Sequence, residues 1–189
     1  METLKSIEER RSIRGYTKQE LSKEIVEDIL NCGRLAPSAK NRQPWYFVIV
    51  KDEVKNKIAD MMIEDTLNTS LKLREKLGCE SSVNSIANII KQAPILVLIF
   101  REKNNDWIVR DNLSIGACVE NMCLRATDLG IGSLWIRDTV YVAEDVAKML
   151  GHQDMEFNCA LALGYASQSP KQRPRKELKD IMEWYENGK

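Results

Sequence analysis

The stretch that decides the fold runs from Leu35 to Val50, "LAPSAKNRQPWYFVIV". Pro37, Ser38 and Pro44 break any helix across its first part, so residues 36–44 read as a loop. The end, "WYFVIV" (45–50), is aromatic and β-branched and reads as a strand. Upstream, "SKEIVEDILNCGRLA" puts Ile25, Val26, Ile29 and Leu30 on one face. Ser22 is its N-cap and Glu24 an acid in its first turn, which predicts an amphipathic helix. The order is therefore helix, loop, strand.

Working outward, three more strands are expected. "APILVLIF" (93–100) is a short apolar run after a helix-prone polar region (about 53–92, broken near Gly78). "IGSLWI" (131–136) and "FNCALALGYA" (157–166) are the others. "RDNLSIGACVENMCLRATDLG" (110–130) is apolar nearly all round, as helices in a core or an interface are. Gly130 is its natural C′ residue. "REKNNDW" (101–107) reads as a charged loop, "VAEDVAKMLG" as a helix ending at Gly151, and "ELKDIMEWYENGK" (177–189) as a last helical segment. Helices and four apolar strands are mixed along one chain without repeat, linker or low-complexity tract. A single α+β layered domain over 1–189 follows.

The 189 residues carry 28 basic and 28 acidic side chains, a formal charge of zero. That balance argues against a general nucleic-acid or membrane-surface binder, and no RNA-binding aromatic motif is present. No apolar run is long enough to span a bilayer. The N-terminus, "METLKSIEERR", is charged from its start, lacks the apolar core of a secretory signal and reads as a short helix. The five cysteines (32, 79, 118, 123, 159) form no Cys-x-x-Cys pair. Reduced thiols in a cytoplasmic protein are expected, and no metal site. His152, the sole histidine, follows a helix-ending glycine and reads as a surface residue. Without a convincing nucleophile and base, any chemistry is expected from a cofactor.

Three places invite a ligand. "RRSIRGYT" (10–17) crowds Arg10, Arg11 and Arg14 around Ser12, and guanidinium forks bind phosphate. In "PSAKNRQPW", small residues allow close backbone approach, and Asn41 and Gln43 offer donors and acceptors. "PKQRPRK" (170–176) holds Lys171, Arg173, Arg175 and Lys176 between prolines. Each alone fits a solvated patch or a polar turn as well as a site.

Together, with "VENMCLRATDLGIGSLWI" and "LALGYASQSPKQRPRK", these stretches resemble the nitroreductase family of flavin enzymes along the whole chain. The resemblance implies a three-layer α-β-α sandwich around a mostly antiparallel sheet. It also implies an intertwined homodimer with FMN at the interface. It places Arg10, Arg11, Ser12 and Arg14 on FMN, with Arg14 at the ring edge. Pro37, Ser38, Ala39 and Asn41 would reach the partner's FMN. Trp135, Ile136 and Arg137 would lie beside flavin N5, and Arg173 and Arg175 would grip the phosphate, with Lys171 an alternative in that register. No side chain is expected to be catalytic. NADH or NADPH would reduce the flavin at N5, and a nitroaromatic, quinone or related small acceptor would then reoxidise it. A flavin-binding or flavin-consuming protein of the same fold without NAD(P)H-driven turnover is the alternative. The lid that selects the acceptor is expected in the polar 60–90 region and the "REKNNDW" loop. No Gly-x-Gly-x-x-Gly fingerprint is present, and none is needed for a visiting nicotinamide.

Overall fold

The computed structural model describes residues 2–68 and 80–185. Its helices are α1 (Thr3–Glu9), α2 (Lys23–Arg34), α3 (Asp52–Asn68), α4 (Glu80–Gln92), α5 (Ile108–Asp128) and α6 (Ala143–Met149); its strands are β1 (Tyr46–Val50), β2 (Ile95–Glu102), β3 (Gly132–Ile136) and β4 (Met155–Gly164). The break expected near Gly78 lies outside the described residues.

The four strands form one sheet in the order β1-β2-β4-β3, antiparallel at every pairing. Both faces are covered. Leu96, Leu98, Phe100, Leu134, Ile136, Ala160 and Ala162 face α3, α4 and α6 in one core. Val97, Ile99, Cys159, Leu161 and Leu163 face α2 and α5 in the other. This is the three-layer α-β-α sandwich of the α+β class, and β2 lies at its centre, buried from Ile95 to Arg101. A strand buried on both faces must be apolar throughout, which is why "ILVLIF" lacks alternation.

One irregularity sets which side chain meets which core. Ile99 pairs with Cys159, but Phe100 pairs with Phe157, so Asn158 is an extra residue on β4. Strand side chains alternate, so the bulge moves Phe157 to the opposite face from the one the alternation through Cys159 would give it. There it packs on Phe100, with ring centroids 5.1 Å apart.

The helix ends follow local sequence. Ser22 Oγ accepts the Ile25 N–H at 3.4 Å. Gly130 (φ 73°) and Gly151 (φ 75°) take the left-handed conformation that glycine adopts without strain. Each closes a Schellman motif: Ile131 N–H to Ala126 O at 2.8 Å with Gly130 N–H to Thr127 O at 3.0 Å, and His152 N–H to Ala147 O at 2.8 Å with Gly151 N–H to Lys148 O at 3.3 Å. His152 is half-buried rather than a free surface residue, packed 5.3 Å from the Tyr46 ring and 5.5 Å from that of Phe100.

Two boundaries differ from expectation. β2 continues through Arg101 and Glu102, shortening the charged loop, because Arg101 is fully buried and paired with Glu156 on β4. The segment 177–185 is not a helix. A single 3-10 turn, Leu178–Asp180, interrupts an extended tail whose Leu178, Ile181, Met182, Trp184 and Tyr185 are exposed. Helices of this length need an apolar face packed on something, and the exposed tail has no such support among the described residues. No described helix is long and apolar enough to cross a membrane.

Candidate functional site

The arginine strip, residues 10–17, lies along one end of the sheet. Ser12 bridges Ser133 in parallel, with Ile13 N–H bonded to Ser133 O at 2.9 Å. Tyr16 bridges Ala166; Thr17 N–H reaches Tyr165 O, and Ser167 N–H reaches Gly15 O at 3.0 Å. The strip thus joins the edge strand β3 to the exit of β4. Close approach demands small residues beneath it. A Cβ at Gly132 would stand 2.9 Å from Ile13 Cγ2, and one at Gly164 would stand 2.9 Å from Tyr16 Cδ1. Tyr16 is the anchor: its buried hydroxyl lies 3.0 Å from Ile13 O and 3.3 Å from Ala162 O, and burial pushes its pKa up.

The cations on this strip differ. Arg10 pairs with Glu120 of α5 at 3.3 Å. Arg11 donates only to the carbonyls of Glu8 and Arg10, and Arg14 only to the carbonyl of Ser12 at 3.3 Å. Among the described residues, no carboxylate neutralises Arg11 or Arg14. Two uncompensated guanidiniums beside an exposed Ser12 are a donor set suited to an anion such as a phosphate or a reduced, electron-rich ring.

On β3, Trp135 is 44% exposed and lies over α5 at Gly116, while Ile136 is buried in the core. Arg137 donates to Asn158 O at 2.7 Å, and the Asn158 amide donates to Asn112 Oδ1 at 2.6 Å. The bulge residue therefore ties Arg137 to the start of α5.

The loop with Pro37, Ser38, Ala39 and Asn41 is elsewhere. It feeds β1, at the opposite edge of the sheet from β3. Three strand spacings, about 14 Å, separate those edges. Lys40, Asn41 and Gln43 all have positive φ (53°, 55°, 49°), and Ser38 Oγ accepts the Gln43 N–H at 2.9 Å. Arg173 and Arg175 are on the exposed tail, where Arg175 bonds only the carbonyls of Arg173 and Pro174. Among the described residues no bond joins either arginine, or the 37–43 loop, to the strip. The structure of one chain thus gathers Arg10–Arg14 with Trp135–Arg137, and sets the loop at the opposite edge of the sheet.

A cavity of about 560 Å³ lies between α2, the end of β1 and the start of β2, lined by Leu21, Val26, Ile49, Lys51, Lys55 and Ile95 among others. None of the expected site residues lines it. Among the described residues no cluster of three or more His, Cys, Asp and Glu could hold a metal. Burial raises the thiols of Cys118 and Cys123 to about 12 and that of Cys159 to about 11, so none is a ready nucleophile.

Sequence reasoning missed Gln168. With its amide oxygen facing the strip it accepts the backbone N–H groups of Gly15 (2.5 Å) and Arg14 (2.6 Å). It also missed Asp111 and Trp107, which meet Arg42 across 69 and 65 positions of sequence. An acid in the first turn of a helix was the one local signal for Asp111.

Comparison with known proteins adds an independent line. The model of the nitroreductase family matches residues 7–165. A protein of Archaeoglobus fulgidus, provisionally named as an NADH dehydrogenase/NAD(P)H nitroreductase, is 33% identical over 154 residues, covering 79% of this chain and 74% of its own. Among solved structures, a provisionally named nitroreductase of Desulfovibrio desulfuricans in complex with FMN superposes with a TM-score of 0.77 at 26% identity, covering 98% of both chains. A BluB-like flavoprotein from Clostridium difficile 630 gives 0.78 at 25% identity, covering 98% of this chain and all of its own.

Proposed function

The chain belongs to the nitroreductase family, and from that premise we propose that it is an FMN-dependent, NAD(P)H-driven oxidoreductase of small acceptors. It acts as a homodimer in the cytoplasm, with residues 1–189 as one FMN-binding domain. When bound, FMN supplies the redox chemistry, taking electrons from NADH or NADPH and passing them to a nitroaromatic, a quinone or a related molecule.

The protein's part is binding, orientation and charge. Arg11, Ser12 and Arg14 hold the cofactor on the strip, with Arg10 braced by Glu120. Arg14 sits at the ring edge, where a cation favours the reduced, more negative flavin. Trp135, Ile136 and Arg137 form the wall. Arg173 and Arg175 hold the phosphate, with Lys171 as the alternative member of that pair. Pro37, Ser38, Ala39 and Asn41 come from the second subunit.

One observation supports this reading: the two expected halves of the site lie at opposite edges of one sheet, and a second copy would bring its loop to the strip of the first. The tail supports a second copy, since five large apolar side chains between Leu178 and Tyr185 are uncovered in one chain.

Sedimentation with FMN titration tests this. A dimer binding one FMN per chain is expected. A monomer that binds FMN with undiminished affinity would refute the shared site. The likeness to the BluB-like flavoprotein keeps a second reading, flavin binding without NAD(P)H turnover, as the alternative outcome.

A further inference from the structure

The 37–43 loop holds Lys40 and Gln43 in a conformation that they do not favour, beside an asparagine that takes it more readily. Lys40, Asn41 and Gln43 carry φ values of 53°, 55° and 49°. For L-residues the left-handed region costs on the order of 1 kcal/mol each, and such backbone persists only where its surroundings impose it. The bonds inside the loop are local: Asn41 N–H to Ser38 O at 3.0 Å, Arg42 N–H to Ala39 O at 3.2 Å, and Gln43 N–H to Ser38 Oγ at 2.9 Å.

Arg42 is different. It has ordinary helical φ (−66°), and its side chain leaves the loop for the body of the protein. Its Nε meets Asp111 Oδ1 at 3.5 Å, its Nη2 meets Glu102 Oε2 at 3.3 Å, and its guanidinium lies 4.5 Å from the centroid of the Trp107 ring. Asp111, in the first turn of α5, is only 1% exposed, and its Oδ2 has no hydrogen-bond partner. A carboxylate so buried depends on its one cation, because losing that cation leaves a desolvated charge. The pair is therefore coupled to the placement of the loop. Trp107 adds a flat surface on which the planar guanidinium of Arg42 stacks more closely than the ammonium of Lys40, 5.5 Å from the same ring, or the guanidinium of Arg110 at 5.1 Å.

We propose that Arg42 is the positioning residue of this loop. Its ion pair with Asp111 and its stacking on Trp107 impose the left-handed turn at Lys40 and Asn41, and so set how Asn41 is presented to the flavin. Neither Arg42 nor Asp111 need touch the cofactor. The effect on flavin affinity rests on the reading of the loop as part of the FMN site; the latch itself does not.

Two readouts on the full chain keep these apart. The first is FMN affinity of Arg42→Ala, Asp111→Asn and the double variant. Each single change is expected to weaken FMN by about tenfold, and the double by little more than either, since the two residues act as one unit. Arg42→Lys, which keeps the charge and loses the fork and the stack, should recover only part. The second is tryptic cleavage after Lys40 without FMN, which the pinned turn resists and which Arg42→Ala and Arg42→Lys should accelerate. Additive losses, an unchanged affinity, or full rescue by lysine would overturn the flavin-positioning role. Unchanged cleavage after Lys40 in both Arg42 variants would overturn the latch. If the unaltered protein binds no FMN, the cleavage result alone decides the latch, and the flavin reading falls separately. Should Asp111→Asn fail to fold, the Arg42 variants carry both readouts.

Discussion

Arg137 donates to the carbonyl of Asn158 at 2.7 Å, and Asn158 is the extra residue in the β2–β4 pairing. A wall residue of the candidate site is thus fixed by the same irregularity that directs Phe157 into the α3–α4–α6 core. Deleting Asn158 would make the pairing regular and leave Phe157 opposite Phe100 on its own face, but it would remove the carbonyl that holds Arg137 and the amide that reaches Asn112. The expected cost is that of two hydrogen bonds, about 1–2 kcal/mol, with the core intact. Urea unfolding measures it, and a loss as large as that of a buried phenylalanine would contradict this account of the bulge.

Arg101 is fully buried and its partner Glu156 is 38% exposed. Its Nη1 also donates to the carbonyls of Glu102 and Asn104, while Nε has no partner. Removing the carboxylate strands a buried charge. Glu156→Ala is expected to destabilise by about 2–3 kcal/mol, the lower side of the buried-pair range because Glu156 is partly solvated. Adding Arg101→Met should return part of that loss; thermal unfolding of both variants checks it.

The thiols give a pH prediction. Burial raises Cys118 and Cys123 to about 12 and Cys159 to about 11, from an ordinary value of 9.0. The unfolded chain ionises first, so the stability these groups contribute is complete below about pH 9 and is lost as pH rises toward 11–12. Among the described cysteines, only Cys32 is not buried. Iodoacetamide at pH 8 should therefore label Cys32 well before the other three, with mass spectrometry as readout. Fast native labelling of Cys123 would show that the α2–α5 core opens.

Much of the fold was legible locally. Continuous apolar runs gave the strands, Ser22 the start of α2, and Gly130 and Gly151 two helix ends, because each depends on a few neighbouring residues. The tail was misread: "ELKDIMEWYENGK" has helical spacing, but its described part, to Tyr185, packs on nothing among the described residues. The Asn158 bulge left no trace, since its signature is a pairing count between β2 and β4. The strip and the wall were read as separate pieces of sequence, while Gln168 and the Arg42–Asp111 pair were missed because contacts across 69 positions or more have no local pattern.

Charge argues a prediction for the cofactor. Among the described residues Arg14 has no carboxylate partner, and Arg14→Ala should weaken FMN binding and lower the potential of bound flavin, because a cation favours the reduced form. Unchanged values for both would remove Arg14 from the site. Arg173→Ala combined with Arg175→Ala should weaken FMN far more than riboflavin, which lacks the phosphate. Equal losses for the two ligands would show that these arginines do not hold it.

The most direct test is the visible spectrum of the purified protein before and after anaerobic NADH or NADPH. The account predicts a bound flavin band that bleaches on addition of the nicotinamide and returns when an acceptor such as a quinone is supplied. Protein that carries no flavin and retains none after incubation with FMN would contradict it, and the unpaired arginines of the 10–14 strip would then be a solvated patch.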